Sequence, residues 1–228
     1  MNKHYISITI ISMLFSSLAA FGQNGTDVLS WSSVAVEYEP DKVWNFAAEG
    51  NLRLKTNISE LDEYFGELTV SRKFFKDFKL GLGLRYIWEN DNTGNIQGTR
   101  QNFRYHIDAS FRIEPGDFTT KFRIRYQDKN ELGDDDEHVK RLRFKTALGY
   151  NFSNWKLDPE ISGEIFGRIS GDDTDYSDRY RITIGTDYKI KKAGKIDIYY
   201  GIQSDFDAAD RETYHILGLK YAYTFEGK

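Results

Sequence analysis

The sequence contains no cysteine, and this absence excludes two classes of structure. With no thiol among its 228 residues, the chain can form neither a disulfide framework nor a thiolate metal site. Proline is also scarce, at three residues, and no linker-like or low-complexity stretch divides the chain. We therefore predict that the chain forms one folded domain.

Long apolar runs are scarce as well, with one exception near the N-terminus. Tyr5–Ala20 is apolar apart from Ser and Thr, and small residues precede Gln23. This pattern is typical of a cleaved export signal. We predict a signal peptide over residues 1–22, cleaved before Gln23, and a mature domain over residues 23–228. The alternative is an uncleaved anchor. No later segment has the ~18 apolar residues that a transmembrane helix needs.

An excess of positive charge is the third feature that the sequence lacks. The formal net charge is −4, whereas proteins that bind nucleic acids neutralise phosphates with clustered Lys and Arg. Binding of nucleic acid is therefore not expected. By bulk composition, with 29% charged and 39% hydrophobic residues, the protein resembles a soluble one.

Alternation of apolar and polar residues is what the sequence has in abundance. In the segment 43–55 one parity is apolar and the other is mostly polar or charged: Trp44, Phe46, Ala48, Gly50, Leu52 and Leu54 alternate with Asn45, Ala47, Glu49, Asn51, Arg53 and Lys55. Successive side chains of a strand point to opposite faces. Apolar residues three and four apart, which an amphipathic helix would need, are missing. The segment is therefore predicted to be a strand with one apolar face.

About eleven such segments follow one another along the chain. They start near Val28, Lys42, Leu61, Phe78, Thr99, Asp117, His138, Trp155, Ser177, Lys195 and Glu212. Most of them run for ~11 to 16 residues, whereas strands of soluble proteins usually have ~5 or 6. A tilted membrane-spanning strand needs ~9 to 11 residues within the bilayer. The lengths favour strands that cross a membrane.

Short and long polar connections alternate between these segments, which is typical of a barrel with tight periplasmic turns and longer outer loops. We predict an all-β, antiparallel up-and-down transmembrane β-barrel of about 10–12 strands. Bacterial single-chain barrels have even strand numbers. We therefore expect ten strands, if Val28–Tyr38 does not span the membrane, or twelve strands, if one of the segments contains two strands. The alternative is a secreted soluble barrel or sandwich, in which the apolar faces would form the core.

In the barrel interpretation, the polar parity lines the lumen. The predicted lumen residues are Glu49, Arg53, Glu67, Arg85, Arg104, Arg123, Arg125, Arg143, Glu160, Glu164 and Arg181. A barrel of this size is narrow, so unpaired charges inside it would be costly. We expect Arg–carboxylate pairs that cross a plugged or nearly plugged lumen. The alternative is a small channel for polar solutes.

The last segment carries aromatic residues on its apolar face up to the C-terminus. Tyr221, Tyr223 and Phe225 resemble the signal that outer-membrane assembly machinery reads. We therefore predict an outer-membrane location in a Gram-negative bacterium, with outer-membrane lipid, lipopolysaccharide and the barrel-assembly machinery as partners. The oligomeric state stays open.

Residues for catalysis are few. His106 shares its face with Asp108 and Ser110, which is the best candidate for a lipid- or peptide-hydrolysing site; His138 and His215 are the other histidines of the mature chain. The acidic stretches 134–137 and 172–175 match no Ca²⁺-loop spacing. We expect no catalytic residue, no metal site and no cofactor, and we interpret His106 as part of a lumen network.

Several strand motifs, taken in their order, resemble an uncharacterised family of outer-membrane proteins that is defined only as a domain of unknown function. The motifs are Ser30-Trp31-Ser32, Gly50-Asn51-Leu52-Arg53-Leu54, Arg141-Leu142-Arg143-Phe144, Pro159-Glu160 with Glu164-Ile165-Phe166, Arg179-Tyr180-Arg181-Ile182-Thr183-Ile184-Gly185, and Tyr214-His215-Ile216-Leu217-Gly218-Leu219-Lys220-Tyr221. The resemblance covers most of the mature chain. It implies a barrel in the outer membrane and no assigned activity.

Overall fold

Eleven β-strands account for nearly all of the chain that the computed structural model describes, which is residues 26–92, 97–133, 138–153, 155–169, 179–206 and 212–227. The strands are β1 (Thr26–Glu39), β2 (Trp44–Lys55), β3 (Glu60–Phe75), β4 (Phe78–Asp91), β5 (Gly98–Ile113), β6 (Phe118–Glu131), β7 (His138–Tyr150), β8 (Leu157–Arg168), β9 (Arg179–Ile190), β10 (Gly194–Asp205) and β11 (Thr213–Glu226). Every predicted start lies within two residues of an observed one. Within the described ranges, no helix could cross a membrane.

The strands form one closed barrel in which each strand pairs antiparallel with its neighbour in the chain. The closing pair is different, because β1 and β11 run parallel, from Thr26 opposite Thr213 to Glu39 opposite Glu226. The prediction of an all-β barrel of about 10–12 strands is confirmed, but the expectation that the number of strands is even is wrong. A parallel ladder satisfies the edge N–H and C=O groups of both strands, so a barrel with an odd number of strands can still close.

The odd strand number places the start of β1 and the end of β11 at opposite ends of the barrel. At one end, the short-turn end, lie the connections 40–43, 76–77, 114–117 and 191–193, together with residues 151–153 and 155–156. At the other, the long-loop end, lie the turn 56–59, the ends of β4, β6, β8 and β10, and the starts of β5, β7, β9 and β11. The short-turn end therefore carries the end of β11, and the long-loop end carries the start of β1.

A side chain fixes the turn between β1 and β2. The Asp41 carboxylate accepts hydrogen bonds from the backbone N–H groups of Val43 and Trp44, each at 2.7 Å. These bonds stabilise the charged form of the carboxyl and hold the pKa of Asp41 below its ordinary value. Such side chain-to-backbone bonds are the reason that Asp is favoured in tight turns.

The two faces of the barrel wall differ sharply. Large apolar side chains are exposed on the outer surface of many strands, among them Val34, Leu52, Leu68, Leu82, Leu84, Ile107, Ile124, Phe144, Leu148, Ile161, Ile184, Ile198 and Leu219. Arg85, Arg125, Arg143 and Glu164 belong to the opposite parity and are each at most 9% exposed. The apolar parity of the sequence is therefore the outer face of the barrel.

Gly83 in β4 leaves the space that an inward-facing histidine occupies. A Cβ placed on Gly83 would lie 2.1 Å from Cε1 of His106, which faces it on β5 and is 2% exposed. A histidine ring this deeply buried cannot move aside without displacing its neighbours. The glycine is therefore a packing requirement of the interior.

We expect Gly83→Ala to destabilise the barrel by about 1 to 3 kcal/mol, the usual effect of overpacking a close-packed interior. Gly50→Ala is the matched control, because a Cβ there would meet nothing within 4 Å. The measurement is the free energy of unfolding in urea for both variants. Equal stability of the two variants would mean that the His106 ring does not occupy the space beside Gly83.

Candidate functional site: the charged interior of the barrel

One carboxylate in the barrel interior binds several guanidinium groups. Glu164 on β8 accepts a hydrogen bond from Arg123 Nη2 at 2.7 Å and lies 2.8 Å from Arg143 Nη2. Arg181 Nη1 on β9 lies 3.8 Å from the second Glu164 oxygen. Glu164 is 5% exposed. These four residues, here the Glu164 cluster, join strands β6, β7, β8 and β9 from the inside.

A second cluster is built around Glu67 on β3. The Nε of Arg85 donates to Glu67 Oε2 at 2.6 Å, and Arg104 Nη2 on β5 lies 3.8 Å from the same oxygen. Arg85 on β4 and Arg104 on β5 are directly paired in the sheet. The Glu67 cluster therefore holds two guanidinium groups with one carboxylate.

The other predicted lumen residues are paired too. Arg125 makes a two-pronged interaction with Asp108, at 2.6 Å for both bonds, and Arg53 lies 2.5 Å from Glu63. The last two pairs each reach past one strand: Lys121 on β6 to Glu160 on β8, at 2.6 Å, and Lys220 on β11 to Glu49 on β2. All eleven residues predicted for the lumen thus lie in interior charge contacts.

Aromatic rings separate the stacked arginines of the interior. Arg85 and Arg53 both contact the Phe65 ring, with Cζ 3.6 Å and 5.0 Å from the ring centroid. Trp31 is contacted by Arg53 at 4.0 Å and by Arg181 at 4.5 Å. Since Arg181 is on β9 and Trp31 on β1, this last contact bridges the two intervening strands. Arg85, Phe65, Arg53, Trp31 and Arg181 thus form one series of alternating arginine and aromatic side chains across the interior.

The series continues to Phe166, whose ring lies 5.0 Å from Arg181 Cζ and 4.4 Å from Arg143 Cζ. Cation–π contacts of this kind add to ion pairs when they are shielded from water. Stacking also covers the faces of the guanidinium groups and leaves only their edge N–H groups free to donate. Trp31, Phe65 and Phe166 were not predicted as interior residues, because the parity rule looks for polar side chains in a lumen.

Two cavities enter the interior from opposite ends. The short-turn cavity, of about 860 Å³, is lined among others by Asp41, Lys121, Arg123, Lys145 and Glu160. The long-loop cavity, of about 710 Å³, is lined among others by Arg53, Arg85, Arg104 and Arg143, and it also reaches Arg123 and Lys145. Arg123 and Lys145 therefore line both cavities.

Buried donor groups without partners face this interior. Among the described residues, Arg85 Nη1, Arg104 Nε and Arg123 Nε are buried and have no hydrogen-bond acceptor. All three arginines line the long-loop cavity. Buried polar groups without a partner are uncommon and costly, so these nitrogens mark the long-loop cavity as a place where acceptor atoms are missing.

His106 and Asp108, two of the candidate hydrolytic residues, do not form a hydrogen bond with each other. His106 Nε2 lies 3.9 Å from Asp108 Oδ2, which is too long for a hydrogen bond, and both oxygens of Asp108 are occupied by Arg125. His106 is therefore packed within the charged interior. Its Nδ1 also has no partner among the described residues.

The other two histidines lie on the outer parity near the long-loop end. His138 Nδ1 is 3.0 Å from Asp128 Oδ1, and His215 Nδ1 is 2.5 Å from the Tyr200 hydroxyl. The Asp128 partner of His138 was missed in the sequence, because Asp128 lies on the apolar parity of β6.

The predicted assembly residues lie on β11, towards the short-turn end. The Tyr221 hydroxyl donates to the Ala193 carbonyl at 2.6 Å, and the Tyr223 and Phe225 rings meet edge to face with centroids 4.7 Å apart. The predicted signal peptide over residues 1–22 and its cleavage before Gln23 lie outside the described residues, as do the acidic stretches 134–137 and 172–175. In the described ranges, no group of three or more His, Asp or Glu residues could hold a metal ion.

Comparison with known proteins gives a family but no activity. No curated protein matches the chain at a significant level. A family match runs over residues 29–214, from β1 into β11, and so includes the Glu164 and Glu67 clusters. The prediction of a family without an assigned function is confirmed, and the chain belongs to the family described as protein of unknown function, DUF2490.

Proposed function

We propose that this protein is an outer-membrane β-barrel without catalytic activity, whose lumen is closed by its own charged side chains. The observation that carries this proposal is the orientation of the wall, with apolar side chains outward and ionised ones inward. Soluble monomers rarely expose contiguous apolar patches larger than a few hundred Å². A surface that is apolar around a whole barrel matches the hydrocarbon of a bilayer.

Aromatic contacts near both ends of the barrel support the same proposal. Towards the short-turn end, Phe118, Tyr150, Phe152 and Trp155 form a continuous series of edge-to-face contacts. Towards the long-loop end, the Trp88 ring contacts those of Tyr64 and Tyr86, with centroids 5.1 Å and 4.6 Å away. Aromatic girdles at the two interfaces are typical of membrane barrels.

The interior supports a closed lumen more than an open pore. The Glu164 cluster joins four strands, and the Lys121–Glu160 and Lys220–Glu49 pairs link strands that are not neighbours. Charged pairs of this kind hold the barrel in one shape and fill its cross-section. The partners that follow from the proposal are membrane lipid, lipopolysaccharide and the assembly machinery.

A narrow channel for polar solutes is the second candidate, and the two cavities that meet at Arg123 and Lys145 favour it. Movement of these two side chains could connect the cavities. Because both side chains are cationic, such a channel would prefer anions.

We expect the purified mature barrel to migrate anomalously on SDS gels until it is boiled, and to give no discrete conductance steps in planar bilayers. The folded form resists SDS because its hydrogen-bonded wall is closed. Discrete, anion-selective steps would establish the channel in place of the closed barrel. A protein that is monomeric and soluble without detergent would contradict both candidates.

A further inference from the structure

We propose that the long-loop cavity binds a small oxyanion of the phosphate or sulfate class between Arg85 and Arg104. This inference goes beyond the proposed function and depends on the interior alone, not on where the barrel resides. It starts from the buried guanidinium N–H groups that have no acceptor. The same residues also carry an excess of positive charge.

Both arginines line the long-loop cavity. Arg85 is 8% exposed; its Nε donates to Glu67, whereas its Nη1 is buried without a partner among the described residues. Arg104 Nε is also buried without a partner. The nearest carboxylate oxygen to Arg104 Nη2, that of Glu67, is 3.8 Å away and beyond hydrogen-bond reach. A ligand with several acceptor oxygens would satisfy both groups.

The charge balance points the same way. Arg85 and Arg104 lie directly opposite each other on neighbouring strands, an arrangement of like charges that destabilises a sheet. Glu67 supplies one negative charge for the two. Elsewhere on the wall of the same cavity, Arg125 faces Arg143 in the same way. An anion between Arg85 and Arg104 would offset the part of this repulsion that Glu67 does not compensate.

The geometry selects an oxyanion over a larger or apolar ligand. The Phe65 ring covers the Arg85 guanidinium at 3.6 Å, so Arg85 can offer only the edge of its fork. Guanidinium edges match the spacing of two oxygens on phosphate, sulfate or carboxylate groups. A tetrahedral oxyanion presents oxygens to two arginines of neighbouring strands at once, which a planar carboxylate does less well.

The test uses the folded full-length protein and inorganic phosphate as the probe. Thermal unfolding is followed by circular dichroism while phosphate or sodium chloride is raised at matched ionic strength. Selective binding to the folded state raises the unfolding temperature in a saturable way. We expect phosphate and sulfate to do so and chloride not to. Equal responses to all salts would reduce the effect to screening and overturn the proposal.

Substitutions locate the site. Arg104→Gln should weaken phosphate binding about tenfold, the effect of losing one hydrogen bond to a charged group, and Arg104→Lys should lie between. The control is Arg112→Gln, because Arg112 is 57% exposed and pairs with Glu114 near the short-turn end. Wild-type affinity in Arg104→Gln would place the ion elsewhere and overturn the proposal.

If Arg104→Gln fails to fold, Arg104→Lys and the wild-type salt series still decide the question. A wild-type protein that binds phosphate but does not enter membranes would contradict the proposed function and leave this site intact. A protein that inserts into membranes but does not bind phosphate would contradict the phosphate site and leave the proposed function intact.

Discussion

Replacing Glu164 by alanine should destabilise the barrel by about 3 to 5 kcal/mol, because removing one partner of a buried ion pair leaves the other charges uncompensated. Glu164 is the shared partner of Arg123 and Arg143 and lies 3.8 Å from Arg181. Its loss would leave three guanidinium groups close together in the interior. The measurement is the free energy of unfolding in urea, or the temperature at which the SDS-resistant form is lost.

Two control variants separate this effect from a general effect of removing charge. Glu114→Ala removes a carboxylate that pairs with exposed Arg112, and exposed pairs contribute about 0 to 1 kcal/mol. Arg143→Ala removes one arm of the Glu164 cluster and leaves the Arg123 arm in place, so it should cost less than Glu164→Ala and leave membrane insertion largely intact. If Glu164→Ala were as stable as Glu114→Ala, the interior cluster would not stabilise the fold.

Replacing Ile184 by arginine should cost about 2 to 4 kcal/mol and impair assembly, as expected for a cation on the lipid face near the middle of a strand. Ile184 lies in the middle of β9 and is 58% exposed. In a soluble protein the same change would expose a cation to water and have little effect. Leu82→Arg on β4 should behave like Ile184→Arg. Both are measured as the fraction of protein that becomes heat-modifiable.

The matched control is Leu132→Arg, which makes the same kind of change at an exposed apolar side chain just beyond the end of β6. Near an interface an arginine costs about 0 to 1 kcal/mol, so this variant should assemble. Ile184→Ala removes the isoleucine without adding charge and should assemble as well. Normal assembly of Ile184→Arg would mean that the outer face does not contact lipid.

Much of the fold could be predicted from the sequence because the signal is local. A period of two over 11 to 16 residues defines both the extent of a strand and its two faces, which is why all eleven starts fall within two residues of the observed ones. The closing pair could not be predicted in this way. Its partners, such as Thr26 and Thr213, are far apart in sequence, and either direction of β1 relative to β11 would show the same alternation.

The charged interior was predictable as a set of residues but not as a network. Parity assigns Arg143 and Glu164 to one face, yet it cannot say that Glu164 also binds Arg123 from β6. That contact depends on the curvature of the closed wall. The rings of Trp31 and Phe166 were missed for another reason. A lumen is expected to be lined by polar side chains, whereas the flat faces of guanidinium groups also accept aromatic rings as neighbours.

The orientation of the wall is the central claim, and a cysteine scan tests it most directly, because the chain has no native cysteine. Single cysteines at positions 181 to 184 of β9, carrying a nitroxide label in reconstituted bilayers, report contact with lipid through the rate of collision with oxygen. We predict high oxygen collision rates at Ile182 and Ile184 and low rates at Arg181 and Thr183. Uniform rates, or the reverse alternation, would contradict a barrel with its apolar side chains in lipid.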